Sequence, residues 1–272
     1  MTAAGRRPSK AARAVLIPAL VSLLSGACAP LRRPLPAGPR TPITDGGPVI
    51  EQATAACRAI STITLEMAVR GSIGGQRIRA RLSAGLGKPA SARLEAVASI
   101  GQPLFFFVAT NDNATIYMPR DQRVARGRPG ALLEAVAGVP LDPAALRSVV
   151  TGCASMPNVA GMLGIGDNWR VTTDGNDEIY LFRDKANPAW RIVTTLHAGT
   201  DGWRAWYSNF ERGLPRTIQL VSTAGRFDLQ LELSQLDLNT PLGPEAFQLQ
   251  VPATAEAISV DELRRSGPLG GK

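Results

Sequence analysis

One histidine, three cysteines and an aromatic content of 5% leave little material for chemistry in this 272-residue chain. His197 lies in an alternating strand pattern with no Ser or Cys elbow beside it, so a structural histidine outweighs a catalytic one. No Gly-x-Ser-x-Gly occurs, which removes the nucleophile elbow of a lipase. No glycine-rich loop follows a strand, and Gly164 to Gly166 is too short and isolated to cradle phosphate. Asp174, Asp177 and Glu178 crowd one turn, but their spacing misses the calcium-loop pattern and fits a hairpin. No catalytic residue, no metal ligand and no cofactor is therefore expected, and the chain reads as a non-enzyme. A long hydrophobic run is also missing. Ala14 to Leu24 spans about 11 residues, the size of a signal-peptide core and too short to cross a bilayer. No internal repeat is visible.

Glycine (27) and proline (21) are plentiful, which suits a turn-rich β protein. The formal net charge is +8, but Arg6, Arg7, Lys10 and Arg13 supply four of those charges with no acid among residues 1–27, leaving +4. That excess is too small to argue for nucleic acid, and none is expected as a partner. It is compatible with work near anionic head groups.

The N-terminus reads as an address and an anchor. A basic stretch and the apolar run lead to Leu24-Ser25-Gly26-Ala27-Cys28, which resembles a bacterial lipobox. Residues 1–27 are then a lipoprotein signal peptide and Cys28 the lipidated first residue, tethering the chain to a membrane outside the cytoplasm. An ordinary secretory peptide cut near Ala27 is the alternative. Ala29 permits outer-membrane delivery under the enterobacterial sorting rule. Residues 28–48 are rich in proline and read as a linker reaching roughly 50 Å. A domain over 49–265 and a flexible tail over 266–272 complete the plan. Cys57 and Cys153 remain as a pair, either a disulfide or two buried thiols.

Within the domain, Pro48 to Ile60 has helical spacing. Strands are expected at Thr62–Ser72, Arg77–Ala84, Arg93–Ala98, Leu104–Val108 and Ala114–Met118. The arginines alternating along Arg77, Arg79 and Arg81 read as a solvated face. Leu132, Leu133 and Val136 form a helical stripe ending at Gly138. Asp142-Pro143 opens a second helix closed by Gly152. Thr151 to Asp167 reads as a loop. Six strands follow between Trp169 and Leu238, then a short strand at Phe247–Val251 and a helical turn at Val260–Arg265. The fold class is mainly β (α+β): an unclosed antiparallel barrel whose helices plug the open side around a hydrophobic cavity. Candidate lining residues are Leu65, Met67, Leu82, Leu94, Phe106, Leu133, Val136, Leu146 and Val150.

Three segments then resemble the bacterial lipoprotein-localisation proteins of the LolA/LolB fold, most closely the outer-membrane receptor LolB. One is Val136-Ala137-Gly138-Val139-Pro140-Leu141 with Ala145-Leu146-Arg147 and Gly152. Another is Arg93 to Val108, a strand, a protruding loop and a strand. The third runs from Pro215-Arg216-Thr217-Ile218 through Leu238-Asn239 to Phe247-Gln248-Leu249. The resemblance implies a hydrophobic cavity for acyl chains, with Ile100 and Gly101 on a membrane-contact loop. It implies a monomer, anchored by its lipid to the outer membrane and facing the periplasm. The chain would take acylated lipoprotein cargo from a LolA-like periplasmic carrier. Alternatives are a related lipid- or glycolipid-binding or envelope-sensing lipoprotein, and a structural scaffold lipoprotein with a filled barrel.

Overall fold

Period-two alternation builds most of this protein. The computed structural model describes residues 32–44, 46–98, 103–153 and 161–266. The anchor candidate Cys28, the loop residues Ile100 and Gly101, and the tail from residue 267 lie outside the described residues.

The first half of the chain holds β1 (Thr41–Ile43), α1 (Gly46–Arg58), β2 (Thr62–Ile73), β3 (Gln76–Gly87), β4 (Ser91–Ala98), β5 (Pro103–Thr110), β6 (Asn113–Met118) and β7 (Arg123–Gly127). Two helices follow, α2 (Pro129–Ala137) and α3 (Pro143–Thr151). The second half holds β8 (Met162–Ile165), β9 (Trp169–Asp174), β10 (Asp177–Phe182), β11 (Arg191–His197), β12 (Trp203–Ser208), β13 (Thr217–Ser222), β14 (Phe227–Leu238), β15 (Glu256–Ile258) and α4 (Val260–Arg265). All join one sheet in the order β1-β8-β9-β10-β11-β12-β13-β14-β2-β3-β4-β5-β6-β7-β15. Neighbours run antiparallel, except that β15 pairs parallel with β7. The edges β1 and β15 do not pair with each other, so the barrel stays unclosed.

Inward side chains of both halves meet in one core. Ile63, Leu65, Met67 and Val69 of β2 face Phe107 and Ile116 from β5 and β6 and Leu229, Leu231 and Leu233 from β14 in that core. A bulge at Ser234 lets Leu233 and Leu236 both oppose inward positions of β2, Met67 and Leu65. Gly71 takes a positive φ of 145° where β14 passes close, and a Cβ there would strike the Asp228 carbonyl.

Helix ends follow local chemistry. Asp142 caps α3 by accepting the Ala145 N–H at 2.7 Å, and Pro143 occupies its first turn. Gly138 and Gly152 end α2 and α3 in the left-handed region. At Gly138 a side chain would also collide with Ile73.

Several expectations need correction. The stretch from Arg32 is not a free linker. Thr41–Ile43 pairs with β8, and the arginines before it hold the outer face of the second half. Thr151–Asp167 contains β8, which needs β1 as its partner and so leaves no local signal. Arg123–Gly127 forms β7, short and flanked by arginines. Phe247–Val251 is not a strand. Pro244–Phe247 is a 3-10 turn, held by side chains instead of ladder bonds. Leu242 lies over Gly85 and Phe247 over Gly87, and Arg93 donates to the carbonyls of Ala246 and Gln248. The last strand is Glu256–Ile258.

Candidate functional site: an apolar cavity under two helices

The inner face of β2, β3 and β4 meets α2 and α3 across a void of about 740 Å³ including its mouth, of which about 90 Å³ admits the centre of a water molecule. Every lining side chain is Met, Val, Ile, Ala, Leu or Phe. With no polar group to hold it, water gains little there, so such a void favours hydrocarbon.

Of the residues expected to line a cavity, Met67, Leu82, Leu94, Leu133 and Leu146 do so. Leu65, Val136 and Val150 are buried in the surrounding core, at 2–3% exposure, but do not line this void. The helix period explains the split. Leu133 and Ala137 share one face of α2, and Leu146 and Val149 one face of α3, while Val136 and Val150 turn aside. Phe106 is a correction. Its neighbours Phe105 and Phe107 point inward at 2% and 0% exposure, and Phe106 stands on the opposite face, half-buried. In a run of three phenylalanines the pattern alone does not fix parity. The pairing of Leu94 with Phe107 does.

The covering helices are fastened. The Arg147 guanidinium donates to the carbonyls of Ile60 and Ser61, tying α3 to the start of β2. Burial pulls its pKa below the ordinary arginine value. The sulfurs of Cys57 and Cys153 are joined, with Cα atoms 6.3 Å apart, linking the end of α1 to the end of α3. On α2, Glu134 reaches Arg226 at 3.5 Å and Arg264 of α4 at 3.7 Å. No sequence signal announced Glu134 as a clasp, because its partners come from distant turns.

A second cleft, open to solvent, lies between α3 and strands β10–β12, and Leu141 lines both. Its walls include Asp142, Ser148, Asp177, His197, Trp203 and Tyr207. His197 Nδ1 lies 2.6 Å from Asp177 Oδ1, and its ring stacks on Trp203 at 5.3 Å. Burial pushes the Tyr207 phenol well above its usual value. The Asp174 carboxyl is pushed up by burial and then by the charge of Asp177. Among the described residues no hydroxyl hydrogen-bonds His197, and no cluster of His, Cys, Asp and Glu can hold a metal.

These features define a class: an unclosed β-barrel, plugged by helices, around an apolar void. No family model matches the chain, and no curated protein matches it. Among solved structures it is similar to a LolA-superfamily protein of Nitrosomonas europaea, at 14% identity and a TM-score of 0.53, over 76% of this chain and 99% of that one. It also aligns with a DUF1329 family protein of Desulfovibrio piger, at 10% identity and a TM-score of 0.49, over 74% and 96%. The lipoprotein LppX of Mycobacterium tuberculosis aligns at 16% identity and a TM-score of 0.31, over 74% and 99%. The chain shares the fold of that LolA-superfamily protein.

Proposed function

We propose that this protein is a lipid-anchored envelope protein that accepts the acyl chains of lipoproteins and passes them to the outer membrane, as a LolB-like receptor would. The observation that carries this reading is the void lined only by apolar side chains beneath fastened helices. Each methylene left in water costs about 0.8 kcal/mol, so an acylated protein cannot cross an aqueous compartment bare. A shielded apolar slot meets that need without covalent chemistry, and no catalytic role is assigned to any residue. In this reading Cys28 carries the anchor, and Ile100 and Gly101 bring the barrel rim to the bilayer. The carrier is a LolA-like periplasmic protein, and the receptor works as a monomer.

A second reading is favoured by the cleft around Asp177 and His197. Because Leu141 lines both this cleft and the apolar void, a lipid with a large polar head, such as a glycolipid, has a place for both ends.

The test fills the void. Ala80 lies on its wall at 3% exposure. Ala80→Phe should fold with little loss, since the ring enters empty space, and should abolish binding of a fluorescent fatty acid that the wild type binds. A wild type that binds no probe would favour the scaffold alternative.

A further inference from the structure

The outer face of β2 and β3 is divided by charge. Two residues apart along β3, about 7 Å per step, stand Arg77, Arg79 and Arg81, all exposed. Arg70 of β2 opposes Arg79 directly, a like-charge pair that is destabilising unless something anionic is near. The nearby carboxylates are taken. Glu232 pairs with Arg70, and Asp228 with Arg32. Arg77, Arg79 and Arg81 make no ion pair or side-chain hydrogen bond among the described residues. One row further along, the sign reverses. Glu66, Ser83 and Glu95 lie side by side, and from there Leu242 and Phe247 cover the sheet. The C-terminal segment thus shields the acidic end and leaves the cationic end bare.

That end flanks the cavity. Ile78 and Leu82, which alternate with the three arginines, line the apolar void and are half-buried. One strand therefore shows hydrocarbon-lining groups inside and free guanidiniums outside.

We propose that Arg77, Arg79 and Arg81 form a docking surface for the phosphate head groups of an anionic bilayer, and that the acidic row beyond them sets which end of the barrel faces it. Charge complementarity selects the occupant: a row of separated guanidiniums suits a field of phosphates. The purpose rests on the lipid-handling reading, but the docking itself does not need a filled cavity.

The experiment uses the chain without residues 1–27 and with Cys28→Ser, so that neither an acyl anchor nor the basic, apolar N-terminal stretch contributes. Partitioning is measured onto vesicles of equal parts phosphatidylglycerol and phosphatidylcholine, and onto phosphatidylcholine alone. The parent should bind the anionic vesicles only, and lose binding as salt rises. The triple substitution Arg77→Gln, Arg79→Gln, Arg81→Gln should weaken it by about fivefold per site, on the order of 100-fold in all. The matching triple Lys variant should bind like the parent, and thermal melts should coincide. Equal partitioning of parent and Gln variant overturns the proposal, as does equal binding of the parent to both vesicles. So does retention by a polyglutamate column with no vesicle binding, which points the row to an acidic protein. Uptake of the fluorescent fatty acid in solution separates the two ideas. Docking without uptake sinks the cavity reading alone, and uptake without docking sinks this one.

Discussion

The two halves of the sheet keep their faces dry by different means. In β2–β7 the inner face is aliphatic with a few phenylalanines, and α2 and α3 roof it incompletely, leaving the void. In β8–β12 both faces are covered. All four tryptophans lie there, and the segment 32–40 crosses the outer face. Arg33 stacks over Phe182 at 4.0 Å, Arg32 over Trp206 at 5.4 Å, and Leu35 packs on the Ile165, Val171 and Tyr180 cluster. Arg40 bonds Glu178 at 2.7 Å and the Tyr180 hydroxyl at 2.9 Å. The contrast teaches a division of labour. A half filled with rigid aromatic rings and a strap holds its shape, so the aliphatic half can remain underfilled.

The largest expected effect breaks the packed part of the first half. Phe107→Ala removes a side chain at 0% exposure and should cost about 3–5 kcal/mol in denaturant melts. Phe106→Ala, on the outer face, should cost about 1 kcal/mol. Equal costs would contradict the parity described. Next comes the tie between α1 and α3. Cys57 and Cys153 are 96 residues apart, so replacing both with alanine should lower stability by about 4 kcal/mol. No change, or no loss on reduction, would mean that the roof is held without it.

The strap should matter less. Arg33→Ala and Arg40→Ala remove exposed stacking and ion-pair contacts, and each should cost about 0.5–1 kcal/mol. Neither should alter fatty-acid uptake, because Arg33 and Arg40 reach only β10, whose side chains do not line the void. The smallest effect is at the C-terminus. The Ser259 N–H and hydroxyl hold the Glu262 carboxyl below its ordinary value. A depressed acid adds stability above its unfolded value and loses it as pH falls through the folded one. The melting-temperature gap between wild type and Glu262→Gln should therefore be widest near neutrality and close in acid.

Much of this fold was legible because alternation is a local signal. Ile63 to Val69 and Phe227 to Leu233 announce their inward faces, and Asp142, Pro143 and Gly152 bound α3 in the sequence itself. What escaped depends on distant partners. Thr41–Ile43 is a strand only because β8 lies beside it, and β15 only because β7 does. The strap's Arg33 and Arg40 looked like linker charges until aromatic rings from residues 180–182 met them. The cavity was readable as a greasy interior, but its wall only in part: Met67, Leu82, Leu94, Leu133 and Leu146 line it. Leu65, Val136 and Val150 carry the same apolar signal as Met67 and Leu133, and only the angle of each helix and strand sorts lining from core.

The central claim is that the underfilled half holds hydrocarbon. The most direct measurement is native purification followed by mass spectrometry of the extracted lipid, on wild type and Ala80→Phe side by side. The account predicts a defined acyl species near one per protein in the wild type and none in the filled variant, with both folded. No lipid in the wild type, or the same lipid in both, would contradict it.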